Sequence, residues 1–216
     1  MKRVCFIGAS IIEGMGDEDK LGMPARLALL EAKAGTPFIH YNLGVRGQTI
    51  KEISARAISE CRARLINPES DFIVFATGSN DFALTEMGIP RTPQHRAMKH
   101  FTELVRDLRK FAPLMVFGPT PVDEQKMPFL SALTGMNFDF KNNDLLKGTE
   151  EYQSICSQEE IPFFNMYQAL SEDSAYVEGL ASNDGLHSTG SGYQAMARAI
   201  YHSPQWRELF SKDKNQ

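Results

Sequence analysis

Five short apolar runs alternate with longer helical patterns along this chain, and this alternation constrains the fold more than any other feature. Most of the runs are continuously apolar, which is typical of strands that are covered on both faces. The runs occupy residues 4–7, 38–41, 72–76, 114–117 and 162–164, and the helical patterns occupy 24–34, 50–65, 93–111, 145–156 and 191–202. Strands that alternate with helices in this way predict an α/β fold with a five-stranded parallel sheet between layers of helices.

The length of the chain fits one domain. Its 216 residues correspond to about 1.4 average domains. We therefore expect a single domain over residues 1–211, followed by a polar tail at 212–216. Residues 120–143 are long for an ordinary loop, and loops of that length are usually functional or disordered. We expect this stretch to form a lid or an insertion.

Charge, hydropathy and cysteine content limit the kinds of partner that we expect this chain to bind and the compartment in which we expect it to function. The 23 lysines and arginines are outnumbered by 27 acidic residues, so the net charge is −4 and the chain lacks the basic surface of a nucleic-acid binder. No apolar run approaches the ~20 residues of a membrane-spanning helix, and the first run is too short for a signal peptide. Cys5, Cys61 and Cys156 match neither a disulfide framework nor a zinc site, which favours a reducing cytoplasm.

Chemically useful residues follow several of the predicted strands. Ligands of open α/β sheets bind beyond the carboxyl ends of the strands. Ser10 follows the first run, a glycine turn that includes Gly47 follows the second, and Asn80 follows the third. Near the end of the chain, Asp184 and His187 have a spacing that allows the carboxylate to contact the imidazole. Each of these residues has an ordinary explanation by itself, as a turn residue or a helix cap.

Together these residues point to acyl transfer. A serine, an imidazole, a carboxylate and a turn with free N–H groups are the nucleophile, base, orienting group and oxyanion donors of that chemistry. Nucleotide or flavin binding is poorly supported, because no lysine followed by serine or threonine comes after the glycines. The pattern Gly-x-Gly-x-x-Gly is absent as well.

Four sequence blocks resemble, in order, those of the SGNH hydrolases, which are also called GDSL esterases or lipases. The blocks are Gly8-Ala9-Ser10, residues 42–47, residues 78–81 with the pattern Gly-x-Asn-Asp, and Asp184-x-x-His187. The resemblance implies a three-layer α/β/α sandwich of the flavodoxin-like kind. It implies hydrolysis of small-molecule esters by Ser10, His187 and Asp184, without a metal or an organic cofactor. It further implies an oxyanion hole formed by the N–H groups of Ser10 and Gly47 and the side chain of Asn80.

One position departs from the family pattern. The family usually has an aspartate between the motif glycine and serine, where this chain has Ala9. The change removes a hydrogen-bonding group that could brace the loop, and it supports the alternative of a non-catalytic ligand-binding protein with the same fold. Acyl transfer, thioester cleavage and carbohydrate-ester cleavage are further alternatives, because fold and triad do not separate them.

The sequence also offers candidates for substrate contact. Phe138 and Phe140 lie in the apolar part of 120–143, which forms either a wall or lid over the substrate or a surface excursion packed against the body or another subunit. Arg46 neighbours the proposed oxyanion glycine and either contacts the substrate or forms a surface ion pair. The acidic residues 17–19 are expected to form a solvated loop, with the alternative that they disfavour anionic substrates.

Overall fold

The structure is a computed structural model that describes residues 1–67, 69–76 and 79–211. The strands are β1 (Arg3–Gly8), β2 (Ile39–Gly44), β3 (Phe72–Ala76), β4 (Leu114–Phe117), β5 (Phe129–Leu130), β6 (Asn137–Phe138) and β7 (Phe163–Phe164). The helices are α1 (Ser10–Glu13), α2 (Gly22–Lys33), α3 (Ile50–Arg62), α4 (Gln94–Phe111), α5 (Asn142–Gln158), α6 (Met166–Leu170), α7 (Ser174–Ser182), α8 (Gly190–His202) and α9 (Pro204–Ser211). Gly78 and the predicted tail at 212–216 lie outside the described residues.

Five strands form a parallel sheet in the order β2-β1-β3-β4-β7. Every residue of β3 and β4 is buried. Burial on both faces explains why these strands are continuously apolar in the sequence. The predicted α/β fold with five parallel strands is confirmed.

Two apolar cores flank the sheet. Alternate residues of β1 point to opposite sides, so that Cys5 and Ile7 belong to one core and Val4 and Phe6 to the other. The first core is completed mainly by α3, α4 and α5, and the second by α2, α8 and α9. This arrangement is the three-layer sandwich, and it exposes the carboxyl ends of the strands along one edge.

The C-terminal part of the chain is more helical than predicted. The predicted helix at 191–202 is α8, which ends at His202. A further helix that was not predicted, α9, begins at Pro204, and proline is a favourable first residue of a helix. Trp206 of α9 is fully buried, and its indole N–H donates to the Glu31 carboxylate at 2.7 Å. The helices α6 and α7 were also not predicted; side chains of Asn165 and Asp173 cap their N-termini.

Residues 120–143 include the antiparallel hairpin β5–β6. The segment after the hairpin is attached to the body by two backbone hydrogen bonds between Leu84 and Asp139, at 2.8 and 2.9 Å. The side chains of Phe138 and Phe140 are buried in the first core. The stretch therefore packs on the body, and it does so at the edge of the sheet where the strands end.

Among the described residues, no helix is both long enough and apolar enough to cross a bilayer. The three cysteines are buried, and none of them forms a disulfide bond with another described residue.

Candidate active site

Ser10 lies just after β1, the second strand of the sheet. β1 ends at Gly8, Ala9 precedes the helix, and Ser10 is the first residue of α1. The N–H groups in the first turn of a helix have no acceptor within the helix, so the Ser10 N–H is available to a ligand. The side chain is largely buried at the carboxyl edge of the sheet.

His187 meets Ser10 across the fold. The imidazole Nε2 lies 2.8 Å from the Ser10 Oγ, although the two residues are 177 positions apart. The imidazole Nδ1 lies 2.8 Å from Asp184 Oδ2. The three residues that the sequence singled out as nucleophile, base and orienting group are thus connected by an unbroken chain of hydrogen bonds.

Asp184 is held by the backbone of its own turn. Its Oδ1 accepts from the N–H groups of Leu186 at 2.9 Å and of His187 at 2.7 Å. Burial alone would raise the pKa of Asp184, but the hydrogen bonds from His187 and from these backbone groups outweigh it and lower the pKa. The ionised carboxylate accepts the Nδ1 proton, which leaves Nε2 as an acceptor for the Ser10 hydroxyl.

Three residues with unused hydrogen-bond donors, Ser10, Gly47 and Asn80, line the same cavity. Gly47 adopts a left-handed backbone with φ of +77°, a conformation that favours glycine. Its N–H and that of Ser10 have no acceptor among the described residues. The amide of Asn80 donates one N–H to the Gln48 carbonyl at 2.9 Å and retains a second one. All three groups lie on the wall of one cavity, together with His187.

That cavity has a volume of about 220 Å³ and is lined largely by apolar side chains. The predicted substrate contacts Arg46, Phe138 and Phe140 all line it. The ring of Phe129 packs edge-on against His187, with 5.6 Å between ring centroids. Within the described ranges, no three His, Cys, Asp or Glu side chains converge in a way that could hold a metal ion. The remaining lining residues are Met15, Arg91, Ser131, Ala132, Leu133 and Leu186.

Comparison with known proteins identifies the family. Residues 6–195 match the sequence profile of the GDSL-like lipase/acylhydrolase family. The chain belongs to this family. The match covers most of the chain and confirms the resemblance carried by the four sequence blocks. No curated protein sequence matched the chain.

Several solved structures share the fold at low sequence identity. A lipase/acylhydrolase from Enterococcus faecalis superimposes with a TM-score of 0.74 at 17% identity, covering 98% of this chain and 97% of that one. An aryl esterase from M. smegmatis gives 0.72 at 18% identity, with 97% and 100% covered. A carbohydrate acetylesterase from Sinorhizobium meliloti gives 0.69 at 15% identity, with 93% and 97% covered.

Arg46 of this GDSL-like chain both lines the cavity and forms an ion pair. Its Nε donates to Glu13 Oε1 at 3.0 Å, and its Nη2 also contacts that carboxylate. The hydrogen bond from Arg46 lowers the pKa of Glu13. Two of the five N–H donors of the Arg46 guanidinium are therefore bound by Glu13.

The expectation of a solvated acidic loop at 17–19 is wrong for Asp17. This residue is 0% exposed, and Arg26 binds both of its carboxylate oxygens, at 2.8 and 3.1 Å. A buried carboxylate requires such a partner, and the partner lies in the next helix. Glu18 accepts from the Gly190 N–H at 2.8 Å, at the start of α8. None of the three acidic side chains lines the cavity; instead, Asp17 binds the start of α2, and Glu18 braces the segment that follows His187.

The sequence analysis missed the role of Asp81. In the sequence it is only the last residue of the block 78–81, but its Oδ2 accepts from the Ile50 N–H at 2.9 Å, at the start of α3. Asp81 is buried, and this burial raises the pKa of its carboxyl group. The contact ties the turn of Asn80 to the helix that follows Gly47. The sequence signal that could have revealed this role is the position of an acidic residue directly beside Asn80, a candidate oxyanion donor.

Ala9 does not prevent the contact between Ser10 and His187. The alanine is buried and lines a small cavity of about 20 Å³ beside Ser10. The hydrogen bond from Ser10 to His187 has an ordinary length of 2.8 Å with the alanine in place. The brace that the family aspartate would supply is therefore not needed to bring these two residues together.

Proposed function

We propose that this protein is a serine esterase that hydrolyses carboxylic esters of small molecules through a covalent acyl-enzyme. The observation that carries the proposal is the chain of hydrogen bonds from Asp184 through His187 to Ser10, which ends on the wall of a cavity. Membership of an esterase and acylhydrolase family supports it. From the three free cysteines we propose a reducing, cytoplasmic setting.

The first half of the reaction forms the acyl-enzyme. His187 Nε2 takes the hydroxyl proton as Ser10 Oγ attacks the ester carbonyl. The carbonyl oxygen becomes an oxyanion, which accepts hydrogen bonds from the N–H groups of Ser10 and Gly47 and from the Asn80 amide. The protonated imidazole is stabilised by Asp184. It then gives its proton to the leaving alcohol as the carbon–oxygen bond of the ester breaks.

The second half releases the acid. His187 takes a proton from a water molecule, and the resulting hydroxide attacks the acyl carbonyl. The same donors stabilise the second oxyanion, and the imidazole returns its proton to Ser10 Oγ as the acyl group leaves. Each proton that His187 accepts is given back within the same half-reaction. The cycle therefore needs no reactant other than the ester and water.

The cavity favours a short substrate group. Its volume of about 220 Å³ is below the range of roughly 300–1,000 Å³ that is usual for drug-sized ligands. Phe129, Phe138 and Phe140 supply apolar surface for an acyl chain or an alcohol. We propose that residues 120–143 act as a wall of the substrate site.

Labelling and hydrolysis test the proposed function together. The protein is incubated with a fluorophosphonate probe, which reacts with activated serines, and separately with para-nitrophenyl esters of increasing acyl length. We expect the label on the peptide that contains Ser10, and hydrolysis that is fastest for the short esters. Absence of both labelling and hydrolysis would favour the alternative of a non-catalytic binding protein.

Replacing Asn80 with alanine is expected to lower kcat by about 10²–10³-fold, because one donor to the oxyanion is lost in the transition state. Steady-state kinetics with a short para-nitrophenyl ester measures the effect, which should fall on kcat rather than on KM. Asn165→Ala is the matched control, since Asn165 caps α6 and does not line the cavity. A loss of less than about threefold in Asn80→Ala would contradict the assigned role.

Shortening either phenylalanine of the wall is expected to change the preference for chain length. Phe138→Leu and Phe140→Leu each enlarge the cavity, so the ratio of kcat/KM between longer and shorter acyl esters should rise. Phe111→Leu, at the end of α4, is the control for loss of an aromatic ring elsewhere. An unchanged ratio in both cavity variants would show that residues 120–143 do not contact the acyl chain.

A further inference from the structure

Arg91 differs from Arg46, the other arginine of the cavity, because its guanidinium forms no hydrogen bond with the described residues. The Arg91 Nη2 lies 3.9 Å from Glu52 Oε2, which is beyond hydrogen-bond distance. That oxygen already accepts from the N–H and the hydroxyl of Thr49, at 2.8 and 2.7 Å. In the part of the chain that the structure describes, no acceptor lies within hydrogen-bond distance of the Arg91 guanidinium. Its five N–H donors are therefore available to a ligand.

The backbone and a neighbouring ring hold Arg91 in place. Its N–H donates to the Ala83 carbonyl at 2.9 Å, and the next residue donates to the Asp81 carbonyl at 3.0 Å. These bonds attach the segment to the turn that carries Asn80. The guanidinium carbon lies 5.1 Å from the centre of the Phe138 ring, within range of a cation–π contact. The Arg91 side chain is 22% exposed and lines the cavity, so its positive charge is held at the cavity wall.

The charges on the cavity wall have one sign. The charged side chains that line it are Arg46 and Arg91, and its described lining contains no aspartate or glutamate. Glu13 offsets the charge of Arg46 directly, whereas Glu52 offers Arg91 only a longer contact. The apolar surroundings strengthen a charge–charge contact relative to water. A negative group on the substrate would therefore find an attractive site beside Arg91.

We propose that Arg91 binds a carboxylate of the substrate, so that the preferred substrates are small esters that carry a negative charge away from the scissile bond. The planar guanidinium matches a carboxylate with two parallel hydrogen bonds. The inference rests on the proposed function and adds the substrate class to it. Arg91 acts in this scheme as a specificity-determining residue and takes no part in bond breaking.

Paired substrates that differ only in charge test the proposal. On the alcohol side the pair is para-acetoxybenzoate and para-acetoxybenzamide. On the acyl side it is the mono-para-nitrophenyl ester of adipic acid and the corresponding terminal amide. For each pair, the ratio of kcat/KM for the anionic ester to that for the neutral one is measured in the wild type and in Arg91→Gln, Arg91→Lys and Arg96→Gln. Arg96 is the matched control because it is an exposed arginine of α4 that does not line the cavity.

We expect a ratio above one for the pair whose charge reaches Arg91. Arg91→Gln should lower this ratio by about tenfold, as the loss of a charged hydrogen-bonding partner predicts. Arg91→Lys should restore part of it, and Arg96→Gln should keep the wild-type value. A circular-dichroism melting curve for each variant verifies folding. If Arg91→Gln does not fold, the proposal is tested by whether Arg91→Lys has a lower ratio than the wild type.

Two results would overturn the proposal in different ways. If the wild type hydrolyses the esters but neither ratio changes in the Arg91 variants, this inference is wrong and the esterase function stands. The same conclusion follows if Arg96→Gln changes a ratio as much as Arg91→Gln does. If the wild type hydrolyses none of the four esters and the fluorophosphonate does not label Ser10, the proposed function fails as well.

Discussion

Replacing Ser10 with alanine is expected to lower kcat by about 10⁶-fold and to abolish labelling by the fluorophosphonate probe. The estimate follows from losing a covalent nucleophile whose partners act as one unit. The side chain lies 2.8 Å from His187 Nε2, so its removal leaves the base without a proton to take from the enzyme. Hydrolysis of a short para-nitrophenyl ester measures the loss, and mass spectrometry of the labelled peptides locates the modified residue.

Ser54→Ala is the control for the Ser10 variant. Ser54 is exposed on α3, and its hydroxyl donates only to the Lys51 carbonyl, at 2.7 Å, so the same chemical change is made away from the cavity. We expect wild-type kinetics and labelling from this variant. If Ser10→Ala retained more than about a tenth of wild-type turnover, another residue would have to be the nucleophile.

Replacing Asp184 with asparagine is expected to lower kcat by about 10⁴-fold. An asparagine can donate its amide N–H to His187 Nδ1, which favours the tautomer whose proton is on Nε2. That tautomer cannot accept the proton of Ser10. The asparagine keeps an oxygen for the backbone N–H groups of Leu186 and His187, so the turn is expected to remain folded. Steady-state kinetics at neutral pH and a melting curve measure the two effects.

Asp173→Asn provides the matched comparison for Asp184→Asn. Asp173 accepts from the Tyr176 N–H at 2.9 Å at the start of α7, and it does not line the cavity. We expect its variant to keep wild-type kcat. A loss of less than about tenfold in Asp184→Asn would mean that the carboxylate does not determine the state of the imidazole.

The sequence predicted the sheet and the converging site residues because both are encoded locally. The strands of a parallel sheet are apolar on both faces, so β3 and β4 are visible as unbroken apolar runs. Ser10 and Asn80 follow their strands within a few residues, which places them at one edge of the sheet. His187 stood out only in combination with the other residues, since a spacing of three from Asp184 is common by chance.

Other features depend on contacts between distant parts of the chain. The acidic pattern at 17–19 is typical of a solvated loop, and only the packing of Arg26 against Asp17 shows that one carboxylate is buried. The helix α9 was not predicted, because the burial of Trp206 that stabilises it involves distant parts of the chain. The position of Arg91 in the cavity depends on Phe138 of the hairpin, which no local pattern around Arg91 reveals.

The contact between Ser10 and His187 has a consequence for how the protein is made. The two residues are 177 positions apart, so the imidazole is synthesised well after the hydroxyl. At a synthesis rate of roughly 10 residues per second, the interval is on the order of 20 s. The brace from Glu18 to Gly190 is also completed only by the late segment. Throughout that interval the nascent chain carries the Ser10 hydroxyl without its imidazole partner.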